Sequence, residues 1–280
     1  MFYYQLRNEL WKLFGKKRTY IGFAMCLLAE SVVLFLFRYT HGPRREMVRR
    51  LDLLGYPSEK FITDLTMATA VMLPVAYVLL PLYVSLVGGD LMAKEAEDGT
   101  LRMILSRPIS RLRLVTTKWV AGAIFSILLS VVLGIFGILF ASLLFPSGGL
   151  FAMLPMDGIF SIFEHGEGWE RYVAATLVLS VKAITIMGLA WMFSCCNVKP
   201  AAATILALSV DLTFRIIQEI PYFHDWRQWF LTYHLDFWMR AFQKPVPVGD
   251  CLQSLCILAG FNLTFFIIGC SIFQMRDIKS

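Results

Sequence analysis

Residues 119–145 read WVAGAIFSILLSVVLGIFGILFASLLF, 27 positions without one charged side chain. A hydrocarbon core about 30 Å thick is crossed by roughly 20 mostly apolar helical residues, so this run is long enough to span a bilayer with some tilt. Five further runs meet the same test: 20–37, 62–88 with Pro74 and Pro81 inside it, 172–193, 200–220 and 251–273. The whole composition agrees. Of 280 residues, 58% are hydrophobic and 16% charged, against about 45–50% and 25% in soluble domains. With 23 Phe, 7 Trp and only 11 Pro, the chain is neither disordered nor collagen-like. It reads as an all-α polytopic membrane protein of six spans, a single transmembrane domain over 1–280. Because five hydrophobic runs come after the first, that first run is expected to be a retained span rather than a cleaved signal.

Six spans place both termini on one side, and loop charge says which. Loops on the terminal side carry a net charge of +8; those on the other side, counting Asp64 and Glu219 with the loops they adjoin, carry −2. Lys and Arg gather on cytoplasmic loops, so both termini are expected in the cytoplasm of a multi-pass inner (plasma) membrane protein of a bacterium. One loop runs against the bias: residues 41–60 hold Arg44, Arg45, Arg49 and Arg50. The loop is expected to be solvated or to face anionic headgroups, with a negatively charged ligand as the alternative. The pI near 9.0 is explained by this topology and implies no nucleic acid.

Two amphipathic stretches lie outside the spans. Within 1–18, Phe2, Leu6, Leu10 and Leu13 share one helical face, with Gln5, Glu9, Lys12 and Lys16 opposite or flanking. Such a helix lies in the interface plane against lipid. Lys16, Lys17 and Arg18 then mark the turn into the bilayer. Between spans five and six, Trp226, Phe230, Tyr233 and Phe237 recur at helical spacing, while Arg227, Gln228, Thr232, Asp236 and Arg240 take the other faces. This spacing predicts one short helix dipping into the outer leaflet.

Four charges fall inside the spans: Glu30, Lys182, Asp211 and Arg215, summing to zero. Each costs on the order of 2.5–3.5 kcal/mol at mid-helix and needs a partner. Asp211 and Arg215 are four apart and can pair on one face; Glu30 and Lys182, near the middles of spans one and four, can pair across the bundle. These groups either shape a polar interior or act as structural pairs. Pro74 and Pro81 each remove a backbone hydrogen bond and are expected to kink span two.

The six cysteines, Cys26, Cys195, Cys196, Cys251, Cys256 and Cys270, have no zinc spacing and read as small buried thiols, just as the 13 Met read as gap fillers. His41, His165, His224 and His234 lie in loops with no nucleophile or acid–base arrangement beside them. No catalytic, cofactor or metal site is expected.

The most informative polar stretch is KEAEDGTLRMILSRPISR, residues 94–111. Gly99 permits a tight turn and Thr100 can cap the next helix. Leu101, Ile104 and Leu105 give one or two apolar helical turns, Arg107 and Pro108 discourage continuation, and Ser110 can cap the third span. On spacing alone, this is an apolar knob framed by charge, either a docking surface or an interfacial helix.

Acids leading into Gly-Thr-Leu, then Leu-Ser, one residue, Pro-Ile-Ser-Arg, with Lys118 beyond, resemble the signature of ABC-2 type permeases, the membrane subunits of ATP-binding cassette transporters. The resemblance covers the full outline: interfacial helix, six spans, amphipathic structure between spans five and six, and the short basic tail that ends at Lys279. It implies a type V-like exporter fold and a coupling helix within 95–111 that fits a groove on a nucleotide-binding subunit. By motif, that role falls on Glu95, Glu97, Gly99, Thr100, Leu101, Ser106, Pro108 and Arg111. The family pairs two membrane subunits, identical or homologous, with two ATPases. This chain has no Gly-x-x-x-x-Gly-Lys-Ser/Thr loop, so ATP would be bound by a separate P-loop ATPase subunit. Two other classes stay open: a secondary transporter, though residues 1–145 and 146–280 show no repeat, and a non-transporting anchor that recruits a cytoplasmic partner.

Overall fold

The structure is a computed structural model that describes residues 2–53, 55–106, 109–154 and 158–275. Its described part contains six helices long and apolar enough to cross a membrane.

The chain enters through α1 (Phe2–Phe14), whose Leu13 and Glu9 are buried while Tyr3, Tyr4 and Trp11 face outward. The first span, α2 (Lys17–Tyr39), buries Thr19, Cys26, Glu30 and Leu34. That narrow stripe at steps of seven and four is flanked by Phe23, Leu27, Val33 and Phe37, partly buried against the core, while Ile21, Met25, Leu28 and Phe35 are exposed. The basic segment 41–60, expected as a loop, folds into α3 (His41–Leu53) and the single turn α4 (Ser58–Phe61).

The second span is a composite of α5 (Asp64–Pro74), a π-helical turn at Val75–Leu79 and α6 (Leu80–Glu97). The two prolines bracket this turn. Pro81 has no N–H to donate and its ring crowds the carbonyl of residue 77, so the ladder widens to i→i+5 around the gap. The expected kink is therefore a π-bulge. After Gly99 come α7 (Thr100–Leu105) and α8 (Arg111–Leu144), where the Ser110 side chain accepts a hydrogen bond from the Arg113 backbone N–H. Strands β1 (Leu150–Leu154) and β2 (Ile159–Phe163) then pair antiparallel, with Leu150 opposite Phe163 and Leu154 opposite Ile159. The remaining spans are α9 (His165–Cys195), α10 (Pro200–Glu219) and α12 (Val248–Met275).

The link between α10 and α12 differs from the expected single helix. It breaks into a 3-10 helix (Pro221–Trp229), the short α11 (Leu231–Leu235) and a second 3-10 helix (Phe237–Phe242). Several helices extend past the limits expected from their apolar runs, most of all α6 to Glu97, α8 back to Arg111 and α9 back to His165. For α6 and α8 the reason is that Asp90, Glu95 and Lys118 are neutralised by partners, so a charge need not end the helix at the membrane boundary.

Helix α9 is the hub and packs on α6, α8, α10 and α12. Close approach depends on small residues, as is usual between helices in lipid. A Cβ on Gly88 would meet the Met187 carbonyl oxygen at 2.5 Å, and one on Gly134 would meet Thr176 Cγ2 at 2.3 Å. An even number of spans brings α1, α7 and the end of α12 to one end of the bundle, here called the terminal end. The hairpin, α3 and the link between α10 and α12 occupy the far end.

Candidate functional site

At the terminal end, the sequence motif separates into an inward and an outward half. Gly99 takes φ of 71°, a conformation glycine adopts without the Cβ penalty of other residues. The turn it makes sets α7 at an angle to α6. The Thr100 hydroxyl donates to the Glu95 carbonyl at 3.3 Å, and the Ser106 hydroxyl donates to the Met103 carbonyl at 2.9 Å. Leu101, expected on the displayed knob, is buried in the core, and Ile104 is half-buried. The physical reason is that an apolar side chain on the first turn of α7 gains more against α6 than in water. Among the described side chains of α7, Met103 is the exposed apolar one, 65% accessible, and Glu97, Asp98 and Ser106, before and after it in sequence, are exposed as well. Lys94 pairs with Glu97 at 3.1 Å and with Asp98 at 3.2 Å. Arg111 donates to the Gln274 carbonyl at 3.1 Å, joining the start of α8 to the end of α12. Pro108 lies outside the described residues.

Glu95 turns towards two lysines of the bundle. Its Oε1 accepts from Lys118 Nζ at 2.8 Å and from Lys12 Nζ at 3.1 Å, while Glu9 accepts from the same two lysines at 2.9 and 2.8 Å. Two acids and two bases thus weld α1, α6 and α8 together, with Lys118 almost wholly buried. Arg18 at the head of α2 adds an ion pair to Asp90 of α6. Burial pushes the Glu9 carboxyl up, but Lys118 and Lys12 outweigh it and hold the group below the usual carboxylate range. For Lys12, burial acts downward and is outweighed by Glu9 and Glu95, so its ammonium is held above the ordinary value. Sequence reasoning missed this quartet. Glu9 and Lys12 appear there only as polar-face residues, and Lys118 only as part of the motif.

A second charged cluster lies inside the bundle. Lys182 Nζ, with a wholly buried side chain, contacts Asp236 Oδ1 at 2.7 Å. Arg215 reaches Asp236 Oδ2 at 3.1 Å through Nη1 and holds Asp211 at 3.0 Å through Nε and 3.4 Å through Nη2. The Tyr77 hydroxyl donates to Asp236 Oδ2 at 3.0 Å, and its ring lies 4.5 Å from Lys182 Nζ and 4.6 Å from the Arg215 guanidinium carbon. The π-helical turn presents that ring. The expected Asp211–Arg215 pair is therefore present, and the expected Glu30–Lys182 pair is not. Asp236, placed by spacing on a face other than the aromatic stripe, turns inward because the chain around it breaks into short helices and the 3.6-residue register is lost. Glu30 is buried on α2 beside a small cavity it shares with Ala68, Met72, Gly134 and Tyr172. No ion pair forms at Glu30 among the described residues.

Among the described residues, none of the six cysteines is in a disulfide. Among the described residues, no three His, Cys, Asp or Glu side chains converge where a metal ion could be held.

The comparisons agree with this architecture. Residues 5–210 match the family model described as ABC-2 family transporter protein. The chain is also similar to an uncharacterized protein, YhcI, of Bacillus subtilis (strain 168), with 26% identity over 235 residues, 81% of this chain and 71% of that one. The family match takes in α1, the ion quartet, α7 and the spans through half of α10, and it ends before Asp211, Arg215 and Asp236. This chain belongs to the ABC-2 family of transporter proteins and is a membrane permease subunit of that family.

Proposed function

We propose that this chain is the membrane subunit of an ATP-driven exporter in a bacterial inner membrane. Its termini and α7 lie in the cytoplasm, it docks a separate P-loop ATPase, and it pairs with a second copy or a homologous subunit to enclose a path. The observation that carries this reading is α7: a short helix at the terminal end, presenting Met103 within an acidic frame and backed by a rigid ion quartet. The basic surplus of the same end favours the cytoplasm. An exposed apolar group framed by charge is the kind of surface a groove on a partner recognises.

The geometry also supplies a route for force. Leu101 keys α7 into the bundle, Thr100 is bonded to the Glu95 carbonyl, and the Glu95 side chain is held by Lys12 and Lys118. A push on α7 by closing ATPases would therefore move α1, α6 and α8 as one body. Helix α6 runs on to the π-helical turn, where Tyr77 contacts Asp236 near the far end. ATP hydrolysis itself belongs to the partner.

The test is affinity purification of the full chain from native membranes in mild detergent. A P-loop ATPase should co-purify, and Met103→Asp and Glu97→Lys should each abolish its recovery while leaving the permease folded, because both side chains are exposed. Failure to recover an ATPase, or recovery unchanged by both substitutions, would overturn the reading. Leu101→Asp is unsuitable as a probe, since it buries a charge.

A further inference from the structure

A groove of about 440 Å³ runs between α9, the 3-10 helix Phe237–Phe242 and the first turns of α12. This volume is within the range of small-molecule sites, about 300–1,000 Å³. Ala174, Val178 and Val181 form one wall, Phe237 the floor and Leu252 the other wall; every other lining side chain is apolar as well, except Arg171. Leu177 and Leu252 along its rim are both more than half exposed, so the groove opens sideways from the bundle into the bilayer. An apolar space open to hydrocarbon is filled by hydrocarbon and not by water, which would find no polar partners there.

Length and charge narrow the occupant. From Arg171 to Val181 is ten residues of α9, about 15 Å at 1.5 Å per residue, which is half of a roughly 30 Å hydrocarbon core. The groove is thus as deep as one leaflet. Arg171 stands at its far-end mouth, and it is the only charged side chain lining the groove among the described residues. Its guanidinium donates to the Ala241 carbonyl at 3.2 Å and to Glu167 at 3.0 Å, leaving other N–H donors of its five available. Lys244 shares the same Glu167 carboxylate at 3.1 Å. Two cations share that one carboxylate, while the other acids near the mouth, Glu170 and Asp250, are exposed, so Arg171 is the cation that faces the groove itself.

We propose that the groove binds one acyl chain of an anionic phospholipid from the far-end leaflet, with the lipid phosphate held by Arg171. A tail seated there packs on Phe237, the residue next to Asp236, so occupancy bears on the segment that the buried charge cluster pins.

The test uses the full chain, with any partner that co-purifies, in nanodiscs containing photoreactive phosphatidylglycerol or phosphatidylcholine with the same mid-chain diazirine tail. Peptide mapping should place the adducts on residues 174–181 and 248–255, with phosphatidylglycerol preferred. Arg171→Gln removes a charge-assisted contact and should lower phosphatidylglycerol labelling about ten-fold, to the phosphatidylcholine level. Ala174→Trp, at an exposed position on the wall, should fill the groove and abolish labelling with both lipids while the chain still elutes as a folded species. Adducts spread evenly over the exposed faces of α2 and α10, or groove labelling that survives Ala174→Trp, would overturn the site. Equal labelling by both lipids in the parent chain would overturn the headgroup assignment. Cross-linking of two copies through Leu177→Cys, absent from the parent chain, would make the groove an interface between chains and defeat the proposal.

Discussion

Replacing Asp236 by Asn keeps the shape of the side chain and removes its charge. Lys182 then sits in the bundle with a wholly buried side chain and without the carboxylate that lay 2.7 Å from its ammonium. Arg215 fares better, because it still holds Asp211 at 3.0 Å. Removing one partner of a buried pair costs about 3–5 kcal/mol, most of it from the stranded charge rather than the lost attraction. If that origin is right, the cost is reversible by removing the stranded charge too. Lys182→Met combined with Asp236→Asn leaves a neutral site in which Arg215 and Asp211 compensate each other, and the double variant should recover about 2 kcal/mol or more of the loss. The assay is thermal unfolding in detergent by circular dichroism, with monodispersity on size exclusion as a parallel readout. The expected order of midpoints is parent, then double variant, then Asp236→Asn. An Asp236→Asn chain that melts with the parent, or a double variant no better than the single one, would refute the claim that Lys182 depends on Asp236.

Acid should loosen α1. Glu9 is held below its ordinary value of 4.5, so the folded state binds fewer protons than the unfolded state there and stability rises with pH. This contribution is complete above about 4.5 and is lost as pH falls through the lowered folded value. Proteolysis of α1 in micelles should accelerate over that window, and Glu9→Gln should remove the acid-dependent step while raising the cleavage rate at neutral pH. Gly88→Ala should cost about 1–3 kcal/mol by overpacking, because its Cβ would lie 2.5 Å from the backbone oxygen of Met187. Gly260→Ala in α12, with nothing within 4 Å of the added carbon, should melt no lower than the parent in the same experiment.

The parts legible in the sequence are those governed by local costs. Apolar runs of bilayer length, bounded by charge, identify the six spans because lipid penalises every uncompensated polar group along a single segment. The Gly99 turn that precedes α7 and the Ser110 cap that starts α8 are legible for a similarly local reason. Reading failed where a side chain's role depends on a distant approach. Leu101 looked like part of a displayed knob, yet α6 lies close enough to bury it. The ion pairs that Glu95 makes with Lys12 of α1 and Lys118 of α8 were likewise not visible along the chain. The hairpin was also unforeseen, since five-residue apolar stretches such as LFAML and IFSIF carry no periodicity long enough to separate strand from helix.

The buried charges show the division most clearly. Taken alone, the sequence establishes that charges within the spans need compensation, and that Glu30, Lys182, Asp211 and Arg215 sum to zero. Tertiary structure kept three of the four and put Asp236 in place of Glu30. Neutrality is a count along the chain, and composition determines it. Which cation meets which anion depends on ångström separations between segments up to 54 positions apart. Here that was decided by a run of short helices that turned Asp236 inward and by a π-helical turn that brought Tyr77 to meet it.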